Sequence, residues 1–163
     1  MRQYVLYDAI SHLRELMAFR IKNSTEVGTN ELGKKIETNE NKDANEYVKL
    51  VNNNISNSLI FNHKARYNND TDIKIFKRML PGDKSNSPRI EDIMSYTNRK
   101  HIFKDKYYKL IFNEPCKTII AHMKFDCNMY IHPEQARGLK QREAARSSII
   151  SRLLYKNLYA NRK

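Results

Sequence analysis

Residues 118–126, TIIAHMKFD, decide the expected fold of this 163-residue chain, because apolar and polar side chains alternate along them. The apolar positions of this stretch are Ile119, Ala121, Met123 and Phe125. A period of two is typical of a strand with one buried face. Residues 106–112 alternate in the same way, residues 113–116 supply a turn, and residues 129–132 could add a third short strand. The pattern therefore predicts a small antiparallel sheet.

Helical patterns flank this predicted sheet on both sides. Pro88 is placed to begin a short helix over residues 89–100, and Pro133 marks a loop before a final helix over residues 139–158. The element order is α-β-β-β-α, in which two helices can cover one face of the sheet. The fold class expected from the sequence is α+β, with this module preceded by an N-terminal helical region.

The N-terminal region contains three further helical patterns and one polar stretch. Helices are predicted over residues 4–21, 46–61 and 72–80, and residues 22–45 are predicted to be a mobile surface loop because they have almost no apolar period. Helix 4–21 has a broad apolar stripe, which would suit packing on the C-terminal module, self-association or docking on another protein.

The turn formers in residues 81–88, PGDKSNSP, predict a linker. The expected division is a helical region at 1–80, the linker at 81–88, an α+β module at 89–158 and a basic tail at 159–163. Charge supports this division: residues 1–87 carry a net charge of +3, and residues 88–163 carry +9. A basic excess of this size favours an acidic partner, of which nucleic acid is the commonest.

Composition also argues against several classes of protein. Two cysteines, Cys116 and Cys127, are too few for a disulfide framework, and the five scattered histidines do not have the spacing of a metal site. No run of about 18 apolar residues and no signal segment is present, so a soluble protein of the cytoplasm or nucleus is expected, neither secreted nor bound to a membrane. No paired-carboxylate or Gly-rich motif suggests an enzyme. We expect no metal and no cofactor.

The C-terminal module resembles the double-stranded-RNA-binding domain over residues 88–158. Pro88, Ile93 and Tyr96 match its first helix. Residues 114–117, EPCK, resemble the family's Gly-Pro-x-His turn, and residues 142–146, REAAR, are similar to the Lys-Lys-x-Ala-Lys start of its last helix, with glutamate in place of the second lysine. The resemblance implies a non-enzymatic protein that binds duplex or structured RNA by shape and phosphate contacts.

Six cations are the predicted nucleic-acid contacts. Arg142 and Arg146 lie one turn apart on the predicted last helix, near an N-terminus that itself favours phosphate. The four predicted phosphate contacts are Arg137, Lys140, Arg142 and Arg146. In an arrangement like that of the family, Lys117 and Arg89 would contact the minor groove.

Two other functions fit the same residues. One is a structural RNA-binding subunit of a ribonucleoprotein or viral particle, in which the polar segment 22–45 orders on assembly. The other is a DNA-binding regulator whose last helix enters a major groove. The sequence favours RNA through the resemblance, and its charge alone supports nucleic acid of either kind.

Overall fold

The structure is a computed structural model that describes residues 3–22, 28–38, 45–52, 59–94, 106–119 and 127–148. The named elements are α1 (Leu6–Ile10), β1 (Gly33–Thr38), α2 (Glu46–Val51), β2 (Leu59–Lys64) and α3 (Asp70–Arg78). Single 3-10 turns lie at Pro88–Ile90 and Cys127–Met129, and residues 141–148 form a further helix, α4. A two-stranded antiparallel sheet with several helices confirms the α+β class.

The sheet of the described residues lies in the N-terminal half, whereas the sequence predicted one in the C-terminal half. β1 and β2 pair antiparallel, with Ile36 opposite Phe61 and Gly33 opposite Lys64. The loop predicted over residues 22–45 is therefore wrong at 33–38. β1 has few apolar residues, so it shows no alternating pattern in the sequence. Backbone hydrogen bonds to β2, more than a buried face, hold this strand in place.

The helix predicted over residues 4–21 is correct at Leu6–Ile10 and wrong beyond it. The backbone of the following segment bonds to distant residues: the N–H of Met17 donates to the carbonyl of Glu31, and Phe19 forms a bridge with Tyr67. Tertiary hydrogen bonds replace the helical ones. Most of the apolar stripe is buried within the chain itself, at Leu6, Ala9, Ile10, Leu13 and Leu16, whereas Met17 is exposed.

The other N-terminal helices agree with prediction in part. α3 begins and ends two residues earlier than the predicted helix 72–80. Asn69 caps α3, because its side chain accepts a hydrogen bond from the N–H of Asp72. The predicted helix 46–61 is correct over Glu46–Val51, whereas residues 59–61 belong to β2. Its middle, residues 53–58, lies outside the described residues.

In the C-terminal half, residues 106–112 form isolated bridges at Tyr108 and Lys109 but no continuous strand. Lys109 bridges to Ile131 in a parallel sense, and Tyr108 bridges to Lys84 in an antiparallel sense. The predicted strand 129–132 is represented by the bridges of Ile131 alone. The described start of the predicted helix 89–100 is a 3-10 turn. Residues 95–100, 120–126 and 149–163 lie outside the described residues, so most of strand 118–126, the end of the last helix and the basic tail are not described.

Two hydrophobic clusters form the core, and both combine residues from either side of the predicted linker. The first packs Leu6 and Tyr47 with Leu110 and Leu139. The second packs residues of α3 with Ile90, Tyr107 and Ile131. Residues 81–88 are joined to the same interior by a hydrogen bond from the N–H of Gly82 to the carbonyl oxygen of Lys109. The described residues of the two halves thus share one interior.

Gly33 allows β1 and β2 to approach each other where it pairs with Lys64. Its φ of +80° is left-handed, and a Cβ at this position would collide with the carbonyl oxygen of His63. We expect Gly33→Ala to lower the free energy of unfolding by about 2 kcal/mol or more, because strain and collision add. Urea unfolding followed by circular dichroism measures this change.

Gly28→Ala is the matched control for that substitution. Its added Cβ would meet Lys34 Cγ at 3.4 Å, an ordinary contact with a flexible side chain. The free energy of unfolding should then change by about 0.5 kcal/mol at most. Equal losses in the two variants would contradict a special role for Gly33.

Candidate nucleic-acid interface

Arg137 and Glu143 form a buried ion pair where α4 begins. Arg137 Nη1 lies 2.8 Å from Glu143 Oε2, and Nη2 lies 2.6 Å from Oε1, so the pair is bidentate. The two side chains are 1% and 2% exposed. A two-point contact of this kind fixes orientation as well as distance. The ion pair therefore sets the position of α4 against the preceding loop.

The same guanidinium also holds the N-terminal segment. Arg137 Nε donates to the carbonyl oxygen of Leu16 at 3.0 Å and to Gln135 Oε1 at 2.6 Å. Gln135 Oε1 accepts in turn from the N–H of Leu16 at 3.2 Å. One arginine side chain thus connects the segment around Leu16 to the loop before α4.

Glu143 has a second task as a cap. Its Oε2 accepts from the backbone N–H of Lys140 at 2.8 Å, as the third residue of a helix does in a capping box. Burial raises the pKa of Glu143, but the charge of Arg137 and the hydrogen bonds to its carboxylate outweigh burial and lower the pKa to about 2. The carboxylate is therefore ionised at neutral pH.

His132 closes the loop that leads to this ion pair. Its Nδ1 accepts from the N–H groups of Glu134 and Gln135 at 3.2 and 3.0 Å. Burial lowers the pKa of His132 to about 3, so the ring is neutral and able to accept. The neutral ring thus holds the loop in shape through these two hydrogen bonds.

Of the six predicted nucleic-acid contacts, Arg137, Lys140 and Arg146 are buried. Arg137 and Lys140 have no exposed surface, and Arg146 is 6% exposed. Burial, followed by the charge of Arg142, lowers the pKa of Arg146 to about 10, which still leaves it charged at neutral pH. In this conformation these side chains belong to the interior and do not present their charges at the surface.

The other three predicted contacts reach the surface. Arg89 and Lys117 are exposed, and Arg142 is half-buried, with its Nε donating to the carbonyl oxygen of Phe61 at 2.6 Å. Lys117 Nζ lies 4.4 Å from the centre of the Tyr108 ring, and Arg89 lies 3.6 Å from an oxygen of Asp83. These three residues remain predicted contacts.

A further set of surface cations lies on the β ribbon, the name used here for β1 and β2 together. Lys34 and Lys35 are exposed on β1, Lys64 is half-buried at the end of β2, and Arg142 touches β2 at Phe61. The sequence analysis missed the two lysines of β1 because it took their segment for a loop. The sequence GKKIET, with two cations beside an isoleucine, was the available signal.

Burial raises the pKa of the Cys116 thiol to about 12, so this cysteine is not an activated nucleophile. In the part of the chain that the structure describes, no group of three or more His, Cys, Asp or Glu side chains could hold a metal ion. The helices within the described ranges are too short and too polar to cross a membrane.

Two curated proteins are similar to a 44-residue part of this chain. The similarity is 41% identity to a protein provisionally named type II methyltransferase M.OihORF3336P from Oceanobacillus iheyensis, and 43% identity to type II methyltransferase M.AgeI from Thalassovita gelatinovora. Each match covers 27% of this chain and 10% of the relative. The chain thus spans about a tenth of the length of these relatives. No family model and no solved structure matches it.

We expect Glu143→Gln to destabilise the protein strongly. The substitution keeps the size of the side chain but leaves the Arg137 guanidinium buried without its counter-charge, which costs about 3–5 kcal/mol. Urea unfolding gives the loss in free energy. Glu134→Gln is the control, because Glu134 is exposed, and it should change stability by about 0.5 kcal/mol at most. Similar midpoints for the two variants would contradict the role of the ion pair.

Proposed function

We propose that this chain is a non-enzymatic module that binds duplex DNA, as part of a methyltransferase. The observation that carries the proposal is the positive charge left at the surface. The chain has a net charge of +12, and the buried cations of the described residues number four: Lys109, Arg137, Lys140 and Arg146. Exposed charge of this kind attracts phosphate whatever the base sequence.

We take the two type II methyltransferases to modify bases in DNA, and on that reading the similarity supports DNA as the ligand. A methyltransferase that modifies a base in a duplex must take the base out of the stack, and it needs surfaces that grip the duplex on either side. A basic module is suited to that grip. Such a role would place the protein where DNA is found, in the cytoplasm or the nucleus.

The proposed division of labour leaves the transfer of the methyl group to another part of the protein. Cys116 is buried and protonated at neutral pH, and burial keeps His12 and His132 neutral by lowering the pKa of each to about 3. These side chains do not supply a nucleophile or a base at the surface. Binding is the activity that the described residues support.

Duplex RNA is the second candidate ligand. Arg89 and Lys117, which the resemblance to the double-stranded-RNA-binding domain implies as minor-groove contacts, are both exposed. The resemblance and the methyltransferase similarity thus favour different duplexes, and a direct competition separates them.

Fluorescence anisotropy with duplex DNA, duplex RNA and single-stranded RNA of equal length tests the proposal. We expect duplex DNA to bind most tightly, with a slope of log affinity against log salt of about −4 to −5 if about five phosphates are neutralised. Tighter binding of duplex RNA would favour the second candidate. Failure to bind either duplex at low salt, or a flat response to salt, would contradict nucleic-acid binding by charge.

A further inference from the structure

The β ribbon has the dimensions of a groove-binding element. Each strand has six residues, so the ribbon is about 20 Å long at roughly 3.3 Å per residue. Its two strands lie about 4.8 Å apart. The major groove of B-DNA is about 12 Å wide and accepts a two-stranded ribbon of this kind.

One face of the ribbon presents apolar side chains to the surface. Ile36 and Phe61 are opposite each other in the register, and their exposed fractions are 56% and 39%. Leu59, paired with Thr38, is 41% exposed. Asn62, at a left-handed φ of 58°, turns β2 so that Ile60 and His63 are both buried while Phe61 stays exposed.

The same ribbon carries an excess of positive charge. Lys34, Lys35 and Lys64 are its cations, and Glu37 is its one carboxylate. Arg14 Nη2 lies 2.7 Å from Glu37 Oε2, so the negative charge is already compensated. A cleft of about 460 Å³ beside β1 is lined by Arg14 and Lys34 together with Ile36 and Leu59.

The base of the ribbon is fixed to the body of the protein. The N–H of Ala65 donates to the carbonyl of Leu32 at 2.6 Å, and His63 Nε2 lies 2.8 Å from the carbonyl oxygen of Arg14. Arg142 ties α4 to the other strand through the carbonyl of Phe61. The base of the ribbon is therefore held by a packed support, as a recognition element requires.

We infer that the β ribbon is the element that enters the major groove of duplex DNA. The inference rests on the proposed function and places the DNA contact on a surface that the sequence did not predict. Lys34 and Lys35 neutralise phosphates at the groove edge, and Arg142 adds a cation beside β2. Ile36 and Phe61 lie against the base edges, where the thymine methyl group is an apolar partner.

Charge favours DNA over a protein as the occupant of this face. A protein that covered an apolar patch would ordinarily meet few charged groups at the centre of the contact. Here, Lys34 lines the same cleft as Ile36 on β1, and Arg142 donates to the carbonyl oxygen of Phe61 on β2, so a cation lies near each residue of the apolar pair. Docking of another protein on this face is the alternative outcome of the test.

The test compares two neutralising double variants of equal charge. Lys34→Gln/Lys35→Gln changes the ribbon, and Lys74→Gln/Lys77→Gln changes two exposed lysines of α3. Each lost phosphate contact lowers the salt slope by about 1, so the ribbon variant should lose about 2 from its slope, with weaker affinity for duplex DNA. The α3 variant should keep the slope of the original protein.

An uncharged variant separates groove contact from charge alone. Ile36→Ser should lower the affinity for duplex DNA severalfold with an unchanged salt slope, because it removes an apolar contact and no phosphate contact. Circular dichroism checks that each variant is folded. If both ribbon variants bind DNA as the original protein does, the ribbon does not enter the groove and the inference is wrong, while the proposed function stands. If the original protein does not bind duplex DNA, the proposed function itself fails.

Discussion

The carboxylate of Glu143 is held between the guanidinium of Arg137 and the N–H of Lys140, inside the protein. The rest of the described structure depends on this arrangement, because Arg137 also donates to the carbonyl oxygen of Leu16 in the N-terminal segment. A buried charge is tolerated only when it is paired and hydrogen-bonded, so the N-terminal segment, the loop before α4 and α4 itself must fit together around it. The ion pair specifies how these segments meet.

This constraint divides the basic residues into two groups with different tasks. Arg137 binds Glu143 and backbone carbonyls, and it shapes the interior together with the buried Lys140 and Arg146. Lys34 and Lys35 are exposed on the β ribbon, and Arg142 links that ribbon to α4. The interior group therefore positions the helix from which Arg142 reaches β2, and in our account it supports a DNA-binding surface that it does not itself touch.

The sequence predicted the α+β class and the position of α3 within two residues, because capping residues and helical periodicity are local signals. It missed β1, since β1 is held by backbone pairing with β2 and shows little alternation. Most of the predicted strand 118–126 lies outside the described residues. The sequence pattern extended the first helix to residue 21, whereas the helix ends at Ile10. The backbone of Leu16 and Met17 bonds instead to Arg137 and Glu31, which are distant in the sequence. Net charge also does not tell which cations are buried. The resemblance places Glu143 where the family has a lysine, whereas the structure makes it the partner of Arg137.

Chemical footprinting of lysines tests the central claim most directly, because it reports which cations duplex DNA covers in the unaltered protein. Acetylation with and without a saturating duplex, read by mass spectrometry, gives the reactivity of each lysine. Our account predicts that Lys34 and Lys35 lose reactivity when DNA is bound and that Lys74 and Lys77 keep theirs. Protection of the α3 lysines with the ribbon lysines still reactive, or no protection at saturation, would contradict it.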